Sequence, residues 1–172
     1  MAQGNSFYSS GNIAADGSFT DGFNQTYSTE QYPVGSLRYQ SADEVTSGDA
    51  SLGGDRLWMF VKASSAGVSA NDLLERDSTS TAFQVKTSSA TAGIRRMLLV
   101  GVAQNAIAAN EFGWVVVKGE CVIKSDSVSA GATLASKNTA GTTEAASTAG
   151  AVIGYATSDT SGGVCDAYVD LH

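Results

Sequence analysis

FGWVVVKGECVIK, Phe112–Lys124, reads as one β-strand of unusual length. From Val115 the odd positions Val115, Val117, Gly119, Cys121 and Ile123 are apolar or small, while the even positions include Lys118, Glu120 and Lys124. A period of two places one face on a core and the other toward solvent. Gly119 stands in the middle, which predicts a bulge or sharp bend, the device that turns one strand around the corner of a small barrel. Trp114 falls on the even side with Lys118 and Glu120, pointing away from the packed face, and is a candidate subunit contact.

Immediately upstream, LLVGVAQNAIAANE (98–111) raises the question of a ligand loop, because Gly101 lies within it and Gly113 just beyond it. A phosphate-binding loop needs closely spaced glycines ahead of a helix, usually with a lysine, so that successive N–H groups converge. Here Gly113 leads into a strand, and the glycines read as backbone punctuation. NAIAANEF is too short for a stable isolated helix, so a turn between strands is expected. Further strand-like runs are LWMFVKA, AFQVKT, RRMLLVGVA, AVIGYAT and VCDAYVDL, divided by Gly, Ser, Asn and Asp. The expectation is an all-β domain over residues 56–172, a small β-barrel or β-sandwich.

The domain echoes itself. VSANDLL (Val68–Leu74) resembles VSAGATL (Val128–Leu134), and IAANEFG (107–113) is a weaker third version; each runs from a β-branched residue through small ones to Asn or Gly. Those two residues tolerate the positive φ that a tight connection requires. LLVGVAQ also matches VIGYAT, with the glycines 53 positions apart, at 101 and 154. Carried forward, that offset sets Val115 and Val117 against Tyr168 and Asp170, on the wrong faces; an offset of 52 sets them against Ala167 and Val169. A one-residue slip reverses every side chain, so the two loops are expected to differ by one residue.

Residues 1–55 have another character. They are polar and dotted with glycine, yet carry Phe7, Tyr8, Phe19, Phe23, Tyr27, Tyr32 and Tyr39. Disordered segments are poor in aromatics. Isolated rings in a weakly periodic stretch suit an extended N-terminal arm that anchors on another surface, and equally suit rings that pack on the chain's own barrel. SADEVTSGDASLGGD (41–55) reads as a linker.

Composition narrows the chemistry. In 172 residues the formal net charge is −7 and the charged fraction only 16%. Lys and Arg are scarce and scattered, which argues against nucleic acid as a partner. No apolar run approaches the roughly 20 residues that cross a bilayer, so no membrane is expected. The first basic residue is Arg38 and residues 1–12 have no apolar core, so no secretory leader is expected. Cys121 and Cys165 are the only cysteines, both in strand-like runs, and read as buried free thiols. His172 is the only histidine and stands last, a poor place for a general base. Asp16, Asp21, Asp43, Glu44, Asp49 and Asp55 sit in Gly- and Ser-rich surroundings and read as solvated loop acids. ADGSFTDG (15–22) lacks the alternating oxygen ligands of a calcium loop. No catalytic residue, cofactor or metal is expected.

FVKASSAGVSANDLL (60–74), LLVGVAQNAIAANEFGWVVVKGECVIKSDSVSAGATL (98–134) and GAVIGYATSD (150–159) resemble, in the same order, the head decoration or cement proteins of tailed bacteriophages. The resemblance covers about two thirds of the chain, rests on glycines and turn residues, and leaves out the arm. It implies a small β-barrel or sandwich, usually a homotrimer, outside an icosahedral head at junctions between capsomers of the major capsid protein. The chain would then be made in the host cytoplasm and become part of the virion, with Phe7, Tyr8, Phe19, Phe23, Tyr27 and Tyr32 as capsid-contact residues of the arm. Alternatives are a β-rich tail or head-fibre component, a carbohydrate-binding module and, as the enzyme class, a carboxylate-dependent hydrolase.

Overall fold

The computed structural model describes residues 12–13, 19–20, 22–41, 54–77, 81, 83–89, 98–137, 139–146 and 152–171. They are almost wholly β. The strands are β1 (Asn12–Ile13), β2 (Phe19–Thr20), β3 (Thr26–Tyr27), β4 (Leu37–Gln40), β5 (Arg56–Ala63), β6 (Leu73–Arg76), β7 (Gln84–Thr87), β8 (Leu99–Ala103), β9 (Phe112–Lys124), β10 (Thr133–Ser136), β11 (Thr143–Ala145), β12 (Val152–Ala156) and β13 (Val164–Asp170). A 3-10 turn, Gly22–Asn24, precedes β3. Apart from the β1–β2 pair, the strands form one mixed sheet of eleven. As expected, residues 104–111 connect strands through turns.

Hydrogen-bond pairing shows why the sequence echoes itself. β5 pairs in parallel with β7, β7 with β6, β6 with β8, β8 with β9, and β9 with β5, closing a ring of five strands. The same circuit recurs: a parallel bridge joins Ser125, just past β9, to Thr143 in β11; β11 then pairs with β10, β10 with β12, β12 with β13, and β13 with β9. Corresponding pairs carry the two expected offsets. Val102↔Val116 in the first ring matches Tyr155↔Tyr168 in the second, 53 positions on for the first member and 52 for the other.

The repeated glycines have a shared physical cause. A Cβ on Gly101 would meet the Val116 carbonyl oxygen at 2.8 Å, and a Cβ on Gly154 would press closer still on the Tyr168 carbonyl, the corresponding atom. Each glycine lets one strand cross tightly over its neighbour where the ring curves.

β9 serves both rings, and Gly119 separates its two halves. At this point the register with β5 shifts, from Trp58↔Val116 to Leu57↔Lys118, and Gly119 adopts φ 109°. The bulge moves the alternation by one residue. Val115 and Val117 therefore pack with Val61, Ala63, Leu74 and Val85 in one core cluster. Cys121 and Ile123 belong to the other, with Leu134, Ile153, Ala167, Val169 and also Trp114 and Val116. The odd positions of 115–123 are all buried, but they do not share one side of the strand, because the bulge exchanges the sides midway.

The rings are locked by a buried acid. Asp72 accepts hydrogen bonds from the Ser69 backbone N (3.1 Å), Thr87 Oγ1 (2.7 Å) and Lys124 Nζ (2.5 Å), so the β5–β6 connection grips the end of β9. Gly141, in the β10–β11 turn, fits beside it: its N donates to the Ser88 carbonyl at 3.1 Å and its carbonyl accepts from Leu73 N at 2.9 Å.

Two outcomes test this architecture. Gly101→Ala and Gly154→Ala should each lower stability in urea unfolding by about 1–3 kcal/mol, the usual cost of overpacking, with Gly154→Ala the worse. Asp72→Ala should cost about 2–3 kcal/mol, below the full value for a broken buried pair because Lys124 keeps part of its hydration; Asp72→Asn should recover part of the loss by preserving the Ser69 and Thr87 contacts.

Candidate interaction surface

The N-terminal aromatics divide by position. Phe7 and Tyr8 lie outside the described residues, as does the side chain of Phe19 in β2. Phe23, Tyr27 and Tyr32 are laid on the outer face of the chain's own first ring. Phe23 stacks on Trp58 with centroids 4.8 Å apart and meets Trp114 edge-on at 5.6 Å. Tyr32 lies 5.2 Å from Trp114 and 5.3 Å from Phe60. Tyr27 packs near Phe60, which stacks on Phe112. The Arg38 guanidinium sits 4.6 Å from the Phe23 centroid, and Trp58 Nε1 donates to Gln40 Oε1 at 2.9 Å.

Backbone pairing fixes this layer. β3 adds to the start of β9 through Thr26↔Gly113 and Tyr27↔Phe112, while β4 pairs with β5 over four residues. Aromatic pairs at these separations contribute about 0.5–1.5 kcal/mol each beyond their buried area. Residues 22–41 are thus structural cladding of the first ring. The expected boundary at residues 55 and 56 follows segment 42–53, which lies outside the described residues.

Trp114 points away from the first ring's interior, as its neighbours in sequence suggest, but it is only 4% exposed, because Phe23 and Tyr32 of the same chain cover it. Its Nε1 has no hydrogen-bond partner among the described residues. Within this chain the indole is a buried anchor for the aromatic layer.

Among the described residues the large apolar side chains left in solvent are others: Leu37, Tyr39, Phe83, Leu98, Val152 and Tyr155. Leu37, Tyr39 and Phe83 neighbour β5, and Tyr155 stands elsewhere, on β12. Leu37 and Tyr39 on β4 stand opposite Met59 and Leu57 on β5, which are partly buried against the first ring's interior. There Met59, Arg76, Phe83, Leu99, Val100 and Leu171 line a pocket of about 200 Å³. On the outer face of the second ring, Tyr155 stacks on Tyr168 across the β12–β13 ladder at 5.6 Å and 15°. Glu120 lies opposite Tyr168, and Lys118 pairs with Asp170 at 3.2 Å. The only sequence cue to this face is that Tyr155 and Tyr168 replace Val102 and Val116 of the first ring.

Burial pushes the Cys121 and Cys165 thiols up; Arg56 partly opposes this at Cys121, and the Ser125 hydrogen bond does so at Cys165. Burial also raises the Tyr27 phenol, with a further push from Tyr32 and an opposing pull from Arg38. Asp55 is exposed; the other loop acids named from the sequence, and His172, lie outside the described residues. Among the described residues no three His, Cys, Asp or Glu side chains converge as a metal site, and no helix is long and apolar enough to cross a membrane.

No family model matches the chain, and no curated protein matches it. Among solved structures it is similar to the N base of head fiber gp8.5 from bacteriophage phi29, at 15% identity and a TM-score of 0.47, over 66% of this chain and 93% of that one.

The thiol environment gives a direct check. In native protein neither cysteine should react measurably with a chromogenic disulfide reagent at pH 8, whereas two thiols per chain should react promptly in denaturant. A fast native reaction at either site would contradict the burial described for both.

Proposed function

We propose that this chain is a non-enzymatic structural protein of a tailed-bacteriophage head: a decoration protein that attaches as a homotrimer to the outer surface of the assembled shell, at junctions of the major capsid protein, and stabilises it. The supporting observation is where the phage-type motifs lie. FVKASSAGVSANDLL runs from β5 into β6, the central motif spans β8 to β10, and GAVIGYATSD holds β12. The residues that resemble cement proteins are therefore those that build the double ring, including Gly101 and Gly154 at its tight crossings. The acidic, sparsely charged composition suits a protein surface better than a polyanion.

The shell-contacting segment in this reading is the part ahead of Gly22, with Phe7, Tyr8 and Phe19. Phe23, Tyr27 and Tyr32 are already engaged on the first ring. Three linked segments would raise effective concentration and make attachment tight even where each contact is weak, and matching trimer to local threefold sites would supply specificity.

The test is addition of purified protein to undecorated heads, with bound copies counted by mass and located by electron microscopy. Hundreds of copies spread over the shell are expected. A few copies at fixed positions would instead make it a tail or head-fibre component, and glycan binding without shell binding would make it a carbohydrate-binding module. A chain lacking residues 1–21 should fold and lose most shell affinity. One lacking residues 1–41 should fail to fold cooperatively, because Trp58 and Trp114 lose the layer that buries them. Full shell binding by the shorter truncation would remove the arm from the contact.

A further inference from the structure

We infer that the two exposed apolar patches are halves of one contact between copies of this chain, in which Tyr155 of one copy enters the Met59–Phe83–Val100–Leu171 pocket of the next. The inference rests on the self-association in the reading above and names the surface that performs it.

Size points to a side chain as the occupant. At about 200 Å³ the pocket is smaller than the roughly 300–1,000 Å³ typical of small-molecule sites. Its lining is aliphatic and aromatic except for Arg76. A tyrosine meets both requirements, with a ring for the apolar walls and a hydroxyl within the chemistry of a guanidinium. Tyr and Arg are also the residue types that dominate binding energy where one partner plugs a pocket in the other.

The knob is built to project. Tyr155 is 48% exposed, yet its ring is held by the stack on Tyr168, so little rotamer freedom remains to be lost on docking. Its counterpart in the first ring is Val102, fully buried. Both positions belong to the outer face: Val102 is buried there in the cluster with Trp58, Phe60 and Trp114, whereas Tyr155 is left exposed.

The pocket wall is built at a cost. Phe83 holds φ 51°, a left-handed backbone that a bulky side chain rarely adopts, and its ring lies over Gly35, where no Cβ would fit. Strain of this kind persists where the surrounding structure enforces it, and it clusters at functional positions. Here it keeps the Phe83 ring, 40% exposed, beside the pocket.

Charge favours the same pairing. Acidic Glu120 and Asp166 flank Tyr168 on the knob side, and Arg76 belongs to the pocket side. A knob and a pocket on different surfaces make a heterologous contact, which generates a closed ring when the rotation between copies closes.

The test is sedimentation velocity on the full chain, with Tyr155→Ala and Val100→Trp as the two variants. The first removes the knob; the second fills the pocket. Wild type is expected to assemble, and each variant to sediment as a monomer with a cooperative melt within a few degrees of wild type. Tyr155→Phe should retain the assembly with weaker association, since only the hydroxyl contact to Arg76 is lost. Mixing the two monomeric variants should give a one-to-one pair, because one copy retains the knob and the other the pocket. A monomeric wild type, or variants that keep the wild-type mass, would overturn the inference. Failure of shell binding by a normally assembling protein would overturn only the proposed function.

Discussion

Strand β9 is the constraint on which the rest depends. Its thirteen residues must close one ring at the start and open a second at the end. A straight, regular strand would present the same side chains to the same side throughout. The bulge opposite Leu57 and the left-handed Gly119 exchange the sides, so Val115 and Val117 fill one interior while Cys121 and Ile123 fill the other. A side chain at Gly119 would drive into the backbone of Asp55 and Arg56, where β5 begins, so the bend also sets how closely the first ring is drawn onto β9.

Around that strand the chain uses one solution twice. Parallel closure, a bulged middle pair and a glycine over a carbonyl recur with matching registers. The copies differ where they meet their surroundings. The first ring carries Trp58, Phe60 and Trp114 on its outer face and covers them with Phe23, Tyr27 and Tyr32. The second carries Glu120, Val122 and Asp166 at the corresponding positions, and among the described residues it has no such aromatic cover. Function-bearing differences are expected there, since interior positions are held by packing and outer ones are free to vary.

Much of this was legible. Alternation marked β9, the glycine echo marked the duplication, and the change of offset from 53 to 52 followed from keeping valines on the inward face. The short strands β6, β10 and β11 were harder to see. LLER, TLAS and TEA are brief and mix charged or small residues, so no periodicity can develop. The role of Phe23, Tyr27 and Tyr32 was also beyond local reading, because an aromatic in a polar segment has the same signature whether its pocket belongs to its own chain or another. Tyr155 and Tyr168 gave no signal by themselves, since Tyr suits both a half-buried strand and an exposed one.

The sequence by itself determined the all-β class and the repeated unit, because these follow from local chemistry: side-chain period, β-branching and turn residues. The need for glycine at 101 and 154 came from the fold, where a carbonyl of the neighbouring strand leaves no room for a Cβ. Only the tertiary structure decided which side of β9 each half faces, that Trp114 is covered from within the chain, and that the exposed apolar groups gather at Phe83 and Tyr155. Those outcomes depend on a single-residue bulge and on strands more than fifty positions apart, and no local pattern records which surfaces distant segments leave uncovered.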